Sequence, residues 1–361
     1  MHVTTAVQKS TVPVIDVDHI AHYILRVQRH SGEIPWSEDG KTDPWDHVES
    51  AMGLTVAGYF EAAKKAYNWS RNTQLDDGSW WSEYTAGKPV ADAFKDANMT
   101  AYIAVGVHHY YLATGDIHFL HRMWPAVSRA MDFVMGLQGP GGQIFWAKRA
   151  DHSISKRALL TGSSSIYLSL CCALESARVL GLKMPAWEMA LAGLGEAIRN
   201  RPHLFDRSKS RFSMDWYYPI LSGAVTGKAA RSRVENHWEK FVVDSWGVLC
   251  VSGEPWVTMA ETCELVMSLA AMGEYALAET IFQWICGNCY EDGAYWTGLT
   301  IPERIIYTDE KTTWTGAAVL LAADMLYSLT PACELFRIFH SRKPGRLTGG
   351  QPETQVNDIH P

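Results

Sequence analysis

The chain has 361 residues, 47% hydrophobic and 20% charged, so it can bury a large core and does not read as a disordered, collagen-like or membrane-bundle sequence. Its net charge of −7 gives no electrostatic reason to approach nucleic-acid phosphates or an anionic bilayer. No apolar run reaches membrane-spanning length, so neither a nucleic-acid partner nor membrane insertion is expected.

In chain order, residues 1–14 hold Lys9 as their one charged side chain and lack the apolar segment and small-residue cleavage site of a secretory signal, which points to the cytoplasm. Apolar periodicity near 3.6 then predicts helices over about 18–30, 46–68, 92–114, 117–137, 163–180, 185–200, 257–272, 274–286 and 311–326, with shorter helices in the gaps. Strand alternation is weak throughout. Gly115-Asp116, Gly181 and Gly273 separate consecutive helices by very short connections, which makes neighbours antiparallel hairpins. The polar, Gly- and Pro-bearing stretches 1–14 and 341–361 read as tails around a single domain spanning 15–340.

The longer connections repeat. Gln28 is followed by Gly32 and Trp36, Gln74 by Gly78 and Trp80-Trp81, Gln138 by Gly142 and Trp146, and Cys289 by Gly293 and Tyr295-Trp296. Each pairs a turn glycine with a ring presented just after it, as where a helix ends and the backbone takes positive φ. Repeated hairpins without polar end caps favour a closed ring, so the fold class expected is all-α, an (α/α)6 barrel.

Several segments resemble six-hairpin glycosidases, nearest the glucoamylase family, glycoside hydrolase family fifteen. Met123-Trp124-Pro125-Ala126-Val127 is similar to a helix common in those barrels. Gly298 to Ile305, followed by Thr312-Thr313-Trp314, resembles the family's C-terminal segment, where a Pro-Glu turn supplies the catalytic base. Glu303 takes that position, with Arg304 replacing the usual Gln. Phe94 to Ala101 resembles the segment whose aspartate grips sugar hydroxyls, which implies a substrate role for Asp96. The Gly142 to Arg149 turn resembles the one carrying the general acid, but the matching position is Ala147. An inverting glycosidase needs one acid and one base, so the acid is sought at Asp151, Glu261 or Asp215.

The residues themselves support a site at the starts of inner helices, which converge on one mouth in such a ring. Trp45-Asp46-His47-Val48-Glu49 reads first as a capping box, with Asp46 as cap. Asp215 lies among Trp216, Tyr217 and Tyr218, a setting suited to a sugar subsite, and Glu261 and Glu264 are one helical turn apart on one face. With 15 Trp, rings are in excess, and Trp36, Trp81, Trp146, Trp216, Trp296 and Trp314 are candidate stacking surfaces; packing against other rings is the plainer use. Thr161-Gly162-Ser163-Ser164-Ser165 lacks a Walker lysine and reads as a capped inner helix lining the cavity with small polar groups. His108-His109 fall in an apolar helix, and Cys286 and Cys289 form a lone C-x-x-C among seven cysteines, so neither a metal, a cofactor nor a disulfide framework is expected.

The reading is therefore an enzyme on a saccharide or glycoconjugate, an inverting glycoside hydrolase with Glu303 as base. Two alternatives use the same rings. A prenyltransferase or squalene-cyclase-like toroid, which the Gln-Gly-Trp turns also resemble, would enclose an isoprenoid, and a non-catalytic glycan binder would need no acid at Ala147.

Overall fold

The computed structural model describes residues 15–340; the two tails expected at 1–14 and 341–361 lie outside the described residues. Helices alternate between an outer and an inner position along the chain. The outer set is α1 (Val17–Val27), α3 (Phe60–Thr73), α6 (Ile117–Met135), α8 (Pro185–Asn200), α10 (Gly227–Phe241) and α12 (Tyr275–Ile285). The inner set is α2 (Pro44–Val56), α4 (Ala97–Ala101) with α5 (Ile103–Thr114), α7 (Leu160–Val179), α9 (Met214–Leu221), α11 (Met259–Ala271) and α13 (Thr313–Tyr327).

The inner helices touch in a closed cycle: α2 packs on α5, α5 on α7, α7 on α9, α9 on α11, α11 on α13, and α13 back on α2. This is the (α/α)6 barrel expected from the sequence. Its two rings differ as burial requires. Inner α13 is buried on every face, from Thr315 through Met325, because it has inner neighbours on both sides and an outer helix behind. Outer α3 buries Ala63, Ala66, Tyr67 and Ser70 at helical spacing and leaves Glu61 and Lys65 in water.

The repeated turns close the outer ring. The Nε2 of Gln74 donates to the Gly78 carbonyl at 2.8 Å and to the Ala126 carbonyl of α6 at 2.9 Å. Gln28 and Gln138 make the same pair of bonds, to Gly32 and Ala62 and to Gly142 and Ala190. Each side chain thus ties the turn after one outer helix to the next. At Gly78, with φ +88°, an added Cβ would lie 2.2 Å from the Arg129 carbonyl oxygen. Gly293 repeats that approach against His19 of α1, which joins the last outer helix to the first.

Several sequence expectations need correction. The single helix expected over 46–68 is two, because Gly58 at φ +82° ends α2 and the Tyr59 N–H returns to the Leu54 carbonyl at 2.9 Å. The stretch 92–114 holds a strand before α4. Short strands also occur: β1 (Tyr84–Thr85) with β2 (Lys88–Pro89), β3 (Lys95–Asp96) with β4 (Ala147–Lys148), and an antiparallel sheet of β5 (Val242–Val243), β6 (Gly247–Leu249), β7 (Trp256–Thr258) and β8 (Gly298–Thr300) in that order. Strands this short carry almost no alternation to read. β3 runs into α4 and β7 into α11, so these ribbons sit at the end of the barrel where the inner helices start. A short helix α14 (Leu335–Ile338) follows α13.

Candidate active site

The N-terminal ends of α2 and α11 bring acidic side chains together inside the barrel mouth. Asp43, Asp46 and Glu49 come from the start of α2, and Glu261 and Glu264 from the first turns of α11. The cap of α2 is Asp43, not Asp46: its Oδ1 accepts from the N–H groups of Trp45 and Asp46 at 2.9 and 3.0 Å, and Pro44 takes the first helical position. Its Oδ2 accepts from Trp36 Nε1 at 2.6 Å. Asp46 is thereby relieved of capping and points into the mouth, where it hydrogen-bonds Asp43.

Burial and like charge hold protons on this cluster. Asp46 is pushed well above the usual carboxylate range, by desolvation first and then by Asp43, Glu49 and Glu264. Glu49, with its Oε2 receiving Trp45 Nε1 at 3.2 Å, is raised to about 8, again mainly by burial. Glu264 is raised by burial and by Glu49 and Glu261, against the pull of hydrogen bonds from the Tyr217 and Tyr218 hydroxyls. Neighbouring carboxyls that cannot all ionise separate into proton carriers and bases, the arrangement acid–base catalysis uses. Glu261 is partly exposed at the mouth and has one oxygen, Oε2, buried without a hydrogen-bond partner. The Cys250 thiol beside it is raised by burial and by the Glu261 charge.

Rings wall the cluster. Trp45 lies 5.3 Å from Tyr102 and 5.7 Å from Tyr218, centroid to centroid, and Trp36 lies 6.2 Å from Trp314, whose Nε1 is buried without a partner. Farther round the mouth, Asp96 caps α4 through the N–H groups of Asn98 and Met99 at 2.8 and 3.0 Å, and burial raises it to about 6. β4 sets Ala147 opposite Asp96. Asp215 accepts from the N–H and Oγ1 of Thr161 at 3.1 and 2.6 Å, so it braces the start of α7.

The sequence candidates thus divide. Glu261, Glu264, Trp36 and Trp314 meet near Asp43 and Asp46. Asp96, Trp146 and, through Thr161, Asp215 belong to an adjoining cavity of about 140 Å³ between α2, α4 and α7. Trp146 also borders an outer hollow with Asp151, which is exposed and held low by its bonds to Ser153. Trp81 stands beside Lys95, and Trp296 is partly buried before β8. Trp216 faces away from the mouth, stacked on Phe241 of α10 at 5.3 Å with its Nε1 bonded to the Arg233 carbonyl. Glu303 lies on an exposed turn between β8 and α13, outside the carboxylate cluster. The groups the sequence undervalued are Asp43, Asp46 and Glu49; the Asp-Pro pair, a capped proline start, was the available signal. Among the described residues, no group of His, Cys, Asp and Glu is arranged to hold a metal ion.

The same helical barrel recurs among solved structures. Solved structures of the same fold include a glycosidase variant in complex with glucose (TM-score 0.66, 15% identity, covering 87% of this chain and 97% of that one) and a D-mannose isomerase (0.67, 11%, 91% and 100%). No family model matches the chain. A curated relative, the MMP endo-(1,4)-3-O-methyl-alpha-D-mannosidase of Mycolicibacterium hassiacum, is 49% identical over 317 residues, 88% of each chain. The chain belongs to the family of that mannosidase, a glycosidase family. No single described helix is long and apolar enough to cross a membrane; a bent pair, Thr313–Tyr327 with Pro331–Arg337, passes by composition, and α13 is an inner helix of the barrel.

Proposed function

We propose that the protein is an endo-acting glycoside hydrolase that cleaves α-1,4 links between 3-O-methylated mannose units, with Asp46 as general acid and Glu261 as general base. The observation that carries the assignment of roles is the unlike setting of two carboxyls at one mouth. Desolvation and its acidic neighbours raise the Asp46 carboxyl and favour its protonated form, from which it would protonate the departing glycosidic oxygen. Glu261 is partly exposed, and its buried Oε2 has no protein partner, so it is assigned the activation of the attacking water. The substrate class rests on the relative's specificity at 49% identity.

Asp43 and Glu49 tune the acid, the Tyr217 and Tyr218 hydroxyls hold Glu264, and Trp36, Trp45 and Trp314 offer ring faces for sugar planes. Along the cleft, the hollow past Trp146 extends the path outward, as cleavage within a chain requires. Glu303, on its exposed turn, is left out of the pair. The stereochemical course proposed is inversion, with water attacking opposite the leaving oxygen, so an α link yields a β reducing end first. Proton NMR during digestion of a 3-O-methylated α-1,4-mannooligosaccharide reads both points. Internal fragments with a β anomer appearing first are expected; an α anomer appearing first refutes inversion, and no cleavage refutes the hydrolase.

A further inference from the structure

The 140 Å³ cavity between α2, α4 and α7 does not contain the acid–base pair, and its chemistry is unlike the rest of the mouth. Its exposed surface is mostly carbon, contributed by Ile144, Leu159, Ile166 and the Trp45 and Trp146 rings, with Asp96 and Thr161 also on its lining. Into this apolar lining project two polar side chains that the protein leaves unpaired: Asn98, 6% exposed, through Oδ1, and Ser163, 2% exposed, through Oγ. Buried polar atoms are ordinarily satisfied, and each one left without a partner costs stability. Two on one cavity wall mark where a ligand supplies the missing bonds.

We propose that this cavity is the specificity pocket for an O-methyl group on the substrate sugar. The methyl rests against Leu159, Ile144 and Ile166, while the neighbouring free hydroxyl bonds the Asn98 Oδ1 and the Ser163 Oγ. A methyl ether suits this lining because it brings carbon and no donor. An unmethylated sugar places a hydroxyl against the aliphatic Leu159, Ile144 and Ile166 side, where it loses its bonds to water. The wall is held in place: Asp215 fixes the first turn of α7 through Thr161, and Asp96, itself on the lining, caps α4, so Ser163 and Asn98 are presented at set positions. The inference rests on the hydrolase reading above and adds to it the residues that read methylation.

The test compares kcat/KM of the full-length protein on matched α-1,4-mannooligosaccharides with and without 3-O-methyl groups. For wild type, preference for the methylated series by about tenfold or more is expected, the scale of one methyl in a fitted pocket. Leu159→Thr, at a partly exposed wall position, should bring that ratio close to one, chiefly through KM; Met99→Gln, also partly exposed on the same wall, serves if the first variant melts early. Ser163→Ala should lower kcat/KM on both series by a similar factor and leave the ratio standing. A wild-type ratio near one, or an unchanged ratio in a folded Leu159→Thr or Met99→Gln protein, overturns the pocket while leaving the hydrolase intact. Cleavage of neither series overturns both.

Discussion

Glu49→Gln isolates the cost of keeping a buried carboxyl in the barrel mouth. The side chain is 6% exposed and keeps its Trp45 Nε1 donor, and glutamine preserves both its shape and an acceptor oxygen. In the unfolded chain this carboxyl ionises near its ordinary value of 4.5, whereas in the fold burial raises it to about 8. Between those values the folded state holds a proton that the unfolded state has released, so wild-type stability falls as pH rises across that window. Each pH unit within it is worth about 1.4 kcal/mol, so at pH 7 the variant should be the more stable by on the order of 3 kcal/mol. The advantage should vanish near pH 4.5 and level off above pH 8. Urea unfolding of both proteins at pH 5, 6, 7 and 8, compared by midpoint at constant m-value, reads this directly. A difference that does not change with pH, or one that turns against the variant as pH rises, refutes a protonated Glu49.

Tyr217→Phe removes the hydroxyl that donates to Glu264 and should cost about 1–3 kcal/mol in unfolding free energy, the price of leaving a buried acceptor unmet. Asp215→Ala should loosen the start of α7 and raise KM with little change in kcat, since its bonds go to Thr161 and not to the acid–base pair; an unchanged KM argues against that bracing role. Gly78→Ala places a Cβ 2.2 Å from the Arg129 carbonyl oxygen and should lower the melting temperature well beyond Gly181→Ala, which shares positive φ but meets nothing within 4 Å. Equal effects of the two would deny the close approach of turn and outer helix. Asp46→Asn should remove the proton donor and lower kcat on substrates with poor leaving groups far more than on activated aryl glycosides, a contrast that kinetics with both substrate types checks.

The barrel was legible because its repeat is written in spacing. Gln74 and Gly78 sit four residues apart, as do Gln28 and Gly32, since one side chain must reach both its own turn and the next outer helix. Inner α7 announced its start through the Thr161 to Ser165 run, and Thr161 and Ser163 do line a cavity. The site was harder to read. Choosing Asp46 as the cap instead of Asp43 turned a mouth residue into a structural one, a shift of three positions decided by Pro44. On α9, consecutive residues diverge by about 100°, so Tyr217 turns to Glu264 while Trp216 turns outward to Phe241. That phase is set by the partners on either side, which a single chain does not display. Polar α10 escaped notice because it buries little more than Ala230, Val234 and Phe241.

The central claim is that Asp46 and Glu261 form the reacting pair at the mouth of the barrel. Turnover of a 3-O-methylated α-1,4-mannooligosaccharide by Asp46→Asn, Glu261→Gln and Glu303→Gln, each shown to be folded by its melting curve, tests it most directly. Losses of about a hundredfold or more in kcat for the first two, the scale of general acid–base catalysis, with Glu303→Gln near wild type, are predicted. Wild-type turnover in either Asp46→Asn or Glu261→Gln, or loss confined to Glu303→Gln, contradicts the account.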